Sequence, residues 1–160
     1  MKGQFIYKII NNDIYSRSGV YYMKKYDLID HTADVGVKAY GKTLSEAFEN
    51  AAKGMFDIIT DNSEIESTGQ YNIELKASDL EQLLVDFLSE LLYLHSANNI
   101  VFGFFKLNID ELNKSLKGTF YGEKFNLSKH KIGAEIKAVT YHMLEVKKKK
   151  PFLVQVLFDI

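Results

Sequence analysis

The chain predicts an α+β fold: a single compact domain in which two amphipathic helices pack on a largely antiparallel curved β-sheet or pair of sheets. Three observations predict it. Two segments, each opened by a capping motif, carry apolar residues at helical spacing. Alternating apolar runs stand before and between them. A long β-rich stretch comes after the second helix instead of alternating with helices, which argues against a parallel βαβ sheet. At 160 residues, one domain able to bury its own core is the simplest organisation.

Residues 1–22 differ in character from the rest of the chain. Phe5–Ile10 reads as a short strand, Asn11-Asn12-Asp13 as a turn and Ser16–Gly19 as a loop. Met23 offers a second plausible beginning, so 1–22 is expected to be an N-terminal appendage or a misplaced start, and 23–160 the domain. Tyr26–Asp30 and Ala33–Tyr40 are strand-like; in the second, Val35, Val37 and Ala39 alternate with polar or small neighbours. Thr43-Leu44-Ser45-Glu46 is a capping box. Behind it Leu44, Ala47, Phe48, Ala51, Ala52, Met55, Phe56 and Ile59 mark a helix over about 44–60. Tyr71, Ile73 and Leu75 alternate on a strand. Ser78-Asp79-Leu80-Glu81 is a second capping box, and Leu80, Leu83, Leu84, Phe87, Leu88, Leu91 and Leu92 carry a second helix to about Ser96, stopped by Asn98-Asn99. Strands are expected over 100–110, 113–122, 134–147 and 152–159, with Lys147–Lys150 and Pro151 as an exposed connection.

Composition removes several functions. The formal net charge is −1, which argues against a protein that wraps nucleic acid. There is no cysteine, so thiolate metal sites, disulfides and cysteine nucleophiles are excluded; this fits a cytoplasmic protein. No apolar run reaches the about 18–20 residues that span a bilayer. Phosphate-loop, dinucleotide, nucleophile-elbow and zincin motifs are all missing.

The informative stretch is His31-Thr32-Ala33-Asp34-Val35-Gly36, taken with the closing Asp159-Ile160. If the two meet, Asp34, Asp159 and the Ile160 carboxylate form an anionic cluster. Two carboxylates ~4.5 Å apart repel by roughly 4 kcal/mol at an effective dielectric near 20, so such a cluster protonates, splays or holds a hard divalent cation through oxygen. From spacing alone the commoner reading is a capped turn at Asp34 and a solvated Asp159. The Ile160 side chain is expected to anchor the end by apolar contact. Of the histidines, His95 reads as a helix-end residue and His130 as a surface residue in a Lys-rich loop. His31 and His142 read first as structural.

These motifs together resemble the archease family, small proteins that activate the GTP-dependent tRNA-splicing RNA ligase. The resemblance runs from about Met23 to Ile160. It rests on His31–Gly36, on Thr43-Leu44-x-Glu46-Ala47-Phe48 with Met55-Phe56-Asp57, and on Tyr121-Gly122-Glu123. It continues through Glu135–His142 and Asp159-Ile160. It implies an accessory protein, not an enzyme, that promotes guanylylation and multiple turnover of the ligase and broadens its nucleotide use. It implies no catalytic residue. It implies calcium or a similar hard divalent cation held by Asp34, Asp159 and Ile160. Lys137 is implied for activation of the partner, and His31, Thr32, Glu123, Thr140 and His142 are weaker carry-overs. The expected partner is the ligase, with nucleic acid met mainly through it, and no membrane. Two other readings stay open: a stand-alone metal-dependent hydrolase using Asp34, Asp159 and His142, and a general chaperone or modulator of RNA-modifying enzymes.

Overall fold

The computed structural model describes residues 8–10, 13–15 and 21–160, with side chains from Lys24 onward. Its strands are β1 (Lys8–Ile10), β2 (Asp13–Tyr15), β3 (Tyr21–Met23), β4 (Tyr26–His31) and β5 (Asp34–Gly41), followed by helix α1 (Leu44–Ile59). Then come β6 (Gly69–Lys76), helix α2 (Leu80–Asn98), β7 (Ile100–Asp110), β8 (Ser115–Lys124), β9 (Ala138–Val139), β10 (Glu145–Lys147) and β11 (Phe152–Asp159). β1 pairs with β2 and β2 with β3 as an antiparallel meander, where the sequence reading placed a single strand; the expected Ser16–Gly19 loop lies outside the described residues. The rest of the expected Phe5–Ile10 strand and the Asn11-Asn12 turn lie outside the described residues.

The expected α+β architecture is present, as a pair of antiparallel sheets. One sheet runs β10-β11-β5-β4, with β9 also on β11; the other runs β6-β8-β7. α1 lies against β5 and β11 of the first sheet and alongside β7 of the second. β7 is an edge strand, and an unpaired edge invites intermolecular pairing. α1 closes it: the Leu107 N–H donates to Glu49 Oε1 at 2.8 Å and the Ile109 N–H to Ser45 Oγ at 3.0 Å. Burial raises the pKa of that Glu49 carboxyl, and the Leu107 bond pulls against the rise. α2 covers the remaining gap, touching β6–β8 on one side and β9–β10 on the other. The helices meet through Phe48 and Phe87, whose ring centroids lie 6.3 Å apart. Around them Phe56, Phe102, Phe105 and Phe120 interlock edge to face and stacked. Fully burying each such ring is worth about 1.5–3 kcal/mol, so this aromatic knot carries much of the core.

The helix ends follow local chemistry. Thr43 Oγ1 accepts from the Glu46 N–H at 3.1 Å, and Glu46 reaches back one residue further than expected, to the Lys42 N–H at 2.9 Å. The second cap falls on Asp79 instead of Ser78, accepting from the Gln82 N–H at 2.7 Å. Asn99 ends α2 in the left-handed conformation, φ 56°, which Asn tolerates.

Two strand boundaries differ from expectation. β8 begins at Ser115, two residues after the expected 113, because Asp110 captures the Asn113 N–H at 3.0 Å and Lys114 turns at φ 52°. The expected strand over 134–147 is broken into β9 and β10. Both pair with the same side of β11, Val139 opposite Phe158 and Glu145 opposite Gln155. Five residues, Thr140–Leu144, therefore face only Val156 and Leu157. The surplus loops out, with Met143 at φ 53°. Residues 134–137, expected to begin that strand, instead end an irregular segment over 125–137. That segment crosses the C-terminal end of α1, where Gly133 and Ala134 donate their N–H groups to the Ile59 and Ile58 carbonyls at 2.9 Å each. A Cβ at Gly133 would meet Ile58 O at 2.1 Å, so only glycine lets the crossing lie this close.

Candidate functional site

β4 and β5 form a tight hairpin whose loop is Thr32-Ala33, and His31 stands directly opposite Asp34. β11 pairs antiparallel with the other side of β5, and its last pair is Asp159 opposite Asp34. Ala138 of β9 flanks Asp159 in turn. Directly opposed residues share a face, so His31, Asp34, Asp159 and Ala138 form one row across four strands. The core side of the same strands is Val35, Val37, Ala39, Val154, Val156 and Phe158. Alternation therefore sends the two carboxylates away from the core.

Two pairs earlier, Leu157 lies over Gly36, where an added Cβ would meet Leu157 Cδ2 at 2.3 Å and Val156 O at 2.7 Å. The His-Thr-Ala-Asp-Val-Gly stretch is thus a hairpin turn, a carboxylate and a glycine that makes room for the closing strand.

The two carboxylates carry Cβ atoms about 4.5–5.5 Å apart by their register. The site is partly compensated. His31 Nδ1 lies 3.8 Å from Asp34 Oδ2. Lys137 approaches the chain end twice, its N–H donating to Asp159 O at 2.7 Å and its ammonium to Ile160 O at 3.4 Å. His142 comes from the looped-out Thr140–Leu144 segment and places its ring centroid 6.0 Å from that of His31. Thr140 closes the edge beneath this loop: its N–H and hydroxyl donate to Leu157 O at 3.0 and 2.9 Å. Thr32 lies exposed in the turn.

The expected apolar anchor is misplaced by two residues. The Ile160 side chain is 40% exposed, while Phe158 is fully buried. The end is held by Phe158, by ladder bonds and by Lys137.

The donor set is oxygen-rich. Among the described residues no three His, Asp or Glu side chains gather closely enough to hold an ion alone. Two carboxylate side chains and the Ile160 carboxylate, against one ammonium, leave local negative charge uncompensated. That chemistry fits a hard divalent cation and does not fit a soft one.

Glu123 belongs to a different place. Its Oε1 accepts from the Glu66 backbone N–H at 3.0 Å, the Lys129 ammonium at 2.7 Å and His130 Nε2 at 2.8 Å. His130 Nδ1 accepts from the Asn126 N–H at 2.9 Å, so the ring proton sits on Nε2. Burial pushes the Glu123 carboxyl up, but the hydrogen bonds outweigh it and hold the pKa at about 2. This clamp pins the start of the segment whose far end is Lys137. His130 is accordingly 3% exposed, not a surface residue; its partner stands seven residues away, beyond any local pattern. His95 also has a structural role, its Nδ1 donating to Ile100 O at 2.9 Å.

Comparison with known proteins identifies relatives along most of the chain. The model of the archease protein family matches residues 26–160. The protein archease of Methanosarcina barkeri is 48% identical over 141 residues, 86% of this chain and 97% of that one. That of Sulfolobus acidocaldarius is 43% identical over 139 residues, 86% of this chain and 100% of the other. The solution structure of Methanobacterium thermoautotrophicum protein 1598 superposes with a TM-score of 0.73 at 38% identity, covering 86% of this chain and all of that one. The chain belongs to the archease family.

Proposed function

We propose that this chain is a metal-binding accessory protein of a GTP-dependent tRNA-splicing RNA ligase, promoting its guanylylation and repeated turnover. Family membership supports the accessory role. The single observation that supports the metal is the register of β5 and β11, which sets Asp34 opposite Asp159 next to the chain end.

The chain's own residues divide the work. Asp34, Asp159 and the Ile160 carboxylate would hold calcium or a similar cation, which when bound neutralises them and leaves coordination positions open to a ligand's oxygens. Lys137 presents an ammonium beside the Ile160 carboxylate, placed to contact the partner. The Thr32-Ala33 turn and the His142 loop frame the row from two sides, so it projects as an acidic tip able to enter a nucleotide site. Thr140 and Glu123 keep that tip in place through the backbone. The described part of the chain has no helix long and apolar enough to cross a membrane; we place the protein in the cytoplasm, with its ligase. Broadened nucleotide use belongs to the same proposal.

The test is reconstitution. The covalent ligase–GMP adduct is measured with and without this chain, and rounds of RNA joining are counted. The proposal expects more adduct and more rounds, and no hydrolysis by the chain alone. Phosphodiester or nucleotide hydrolysis by the chain alone, abolished by Asp159→Ala, supports the hydrolase instead. Equal protection of unrelated enzymes against aggregation supports the general modulator.

A further inference from the structure

Both helices contact the β6-β8-β7 sheet, and the outward-facing residues around Phe104 have an unusual composition for a merely solvated face. Phe104 of β7 stands opposite Tyr121 of β8, ring centroids 5.7 Å apart, and Phe104 is 49% exposed. A β-bulge at Gly103 creates this pair: register shifts between Phe102 and Phe104, so Phe102 points into the core and Phe104, at the same parity, points out. The next pair on this face, two along the strands, is Lys106 opposite Thr119, with Asn72 beyond it on β6. Thr119 Oγ1 donates to Asn72 Oδ1 at 3.1 Å, which leaves the Asn72 amide donors facing outward. Lys106 has no ion pair among the described residues, and Lys117 beside it shares its charge with Glu74 at 3.4 Å. Asn72, Glu74, Lys106, Lys117, Thr119 and Tyr121 line one shallow hollow, and Phe104 stands beside it across from Tyr121.

We propose that this sheet face binds single-stranded RNA. Two adjacent aromatic rings on a solvated sheet give a base a surface to stack on. Lys106 stands at the next pair on this face for the phosphate backbone, and Asn72 for a base edge. An acidic tip lies elsewhere on the molecule, so the modest cationic excess here is local. Lys106 and Lys117 can neutralise at most two phosphates, which predicts a shallow salt dependence, a slope no steeper than about −1.5 in log K against log salt. Stacking carries the affinity. The choice of RNA over DNA rests on the proposed function; the face itself is read from its residues alone.

The experiment is fluorescence anisotropy of a labelled uridine decamer titrated with the full chain. Saturable binding is expected, with weaker binding of the matching deoxy decamer and of a duplex. Phe104→Ala should weaken binding roughly tenfold or more, Phe104→Trp should retain it, and Lys106→Glu should weaken it and flatten the salt slope. Tyr93→Ala, at a more exposed aromatic residue on α2, should change nothing. Phe104→Ala should leave guanylylation measured without RNA unchanged, so failure of this face and failure of the ligase reading are separately visible. No saturable binding by wild type, or equal binding by Phe104→Ala, overturns the proposal. If Phe104→Ala instead alters only self-association on gel filtration, the face is a protein interface and the proposal is equally overturned. Equal binding of the deoxy decamer overturns the preference for RNA.

Discussion

Asp34 and Asp159 are directly opposed residues on neighbouring antiparallel strands, with both side chains on the solvent side of the sheet. Like charges so placed destabilise a strand pair. Asp34→Asn and Asp159→Asn should therefore melt no lower than wild type in chelator, or slightly higher. Excess calcium should raise the wild-type midpoint through linkage and leave both variants where they were. Variants that melt much lower in chelator would show that the carboxylates serve the fold.

Lys137 sets one cation against the anionic row, its Nζ 3.4 Å from Ile160 O. An ammonium there competes with a metal for the same oxygens. Lys137→Met should bind calcium as tightly as wild type or more tightly, yet activate the ligase poorly. A calorimetric titration that finds weaker binding would make Lys137 a support of the metal site and not a contact to the partner.

Glu123 supplies a pH signature. Its pKa is held at about 2, below the ordinary value of 4.5, so the folded state favours the ionised form. The stability it contributes is present above about pH 4.5 and is lost as pH falls towards 2. Glu123→Gln removes charge-assisted bonds from Lys129 and a buried His130, and should cost about 1–3 kcal/mol at pH 7. The gap between variant and wild type should shrink in acid. Denaturant midpoints at pH 7 and pH 3 check both; a gap that is constant with pH would mean that the charge is irrelevant.

Leu88 is fully buried on α2. Leu88→Ala should cost about 2–5 kcal/mol as a cavity mutation, read by urea denaturation. An unchanged midpoint would show that the core tolerates collapse at this point.

The helices were legible because each carries its whole signal locally: a cap at Thr43 or Asp79, then apolar residues at helical spacing. β5 was legible by alternation, β4 as a strand-like run and β11 as a short apolar run. The site was legible only as a possibility, since nothing in Asp34 and Asp159 alone says that 125 residues apart in the chain become opposite in the sheet. Residues 134–147 read as one strand of a β-rich stretch, but three surplus residues opposite β11 force the Thr140–Leu144 loop, and that count is invisible without the partner. The Glu123–His130 clamp and the Glu49 and Ser45 bonds to β7 were missed for the same reason. They join residues whose proximity only the tertiary fold decides.

Whether the Ile160 carboxylate shares a cation with Asp34 and Asp159 is decided by calcium titration calorimetry, on wild type and on a chain with one residue appended after Ile160. The appended residue turns that carboxylate into a neutral amide and moves the charge, leaving Asp34, Asp159 and the core in place. Wild type should bind one calcium, and binding should be lost or much weakened in the extended chain, with equal melting midpoints in chelator. Equal calcium binding by the two proteins would contradict a cation site built on the chain end.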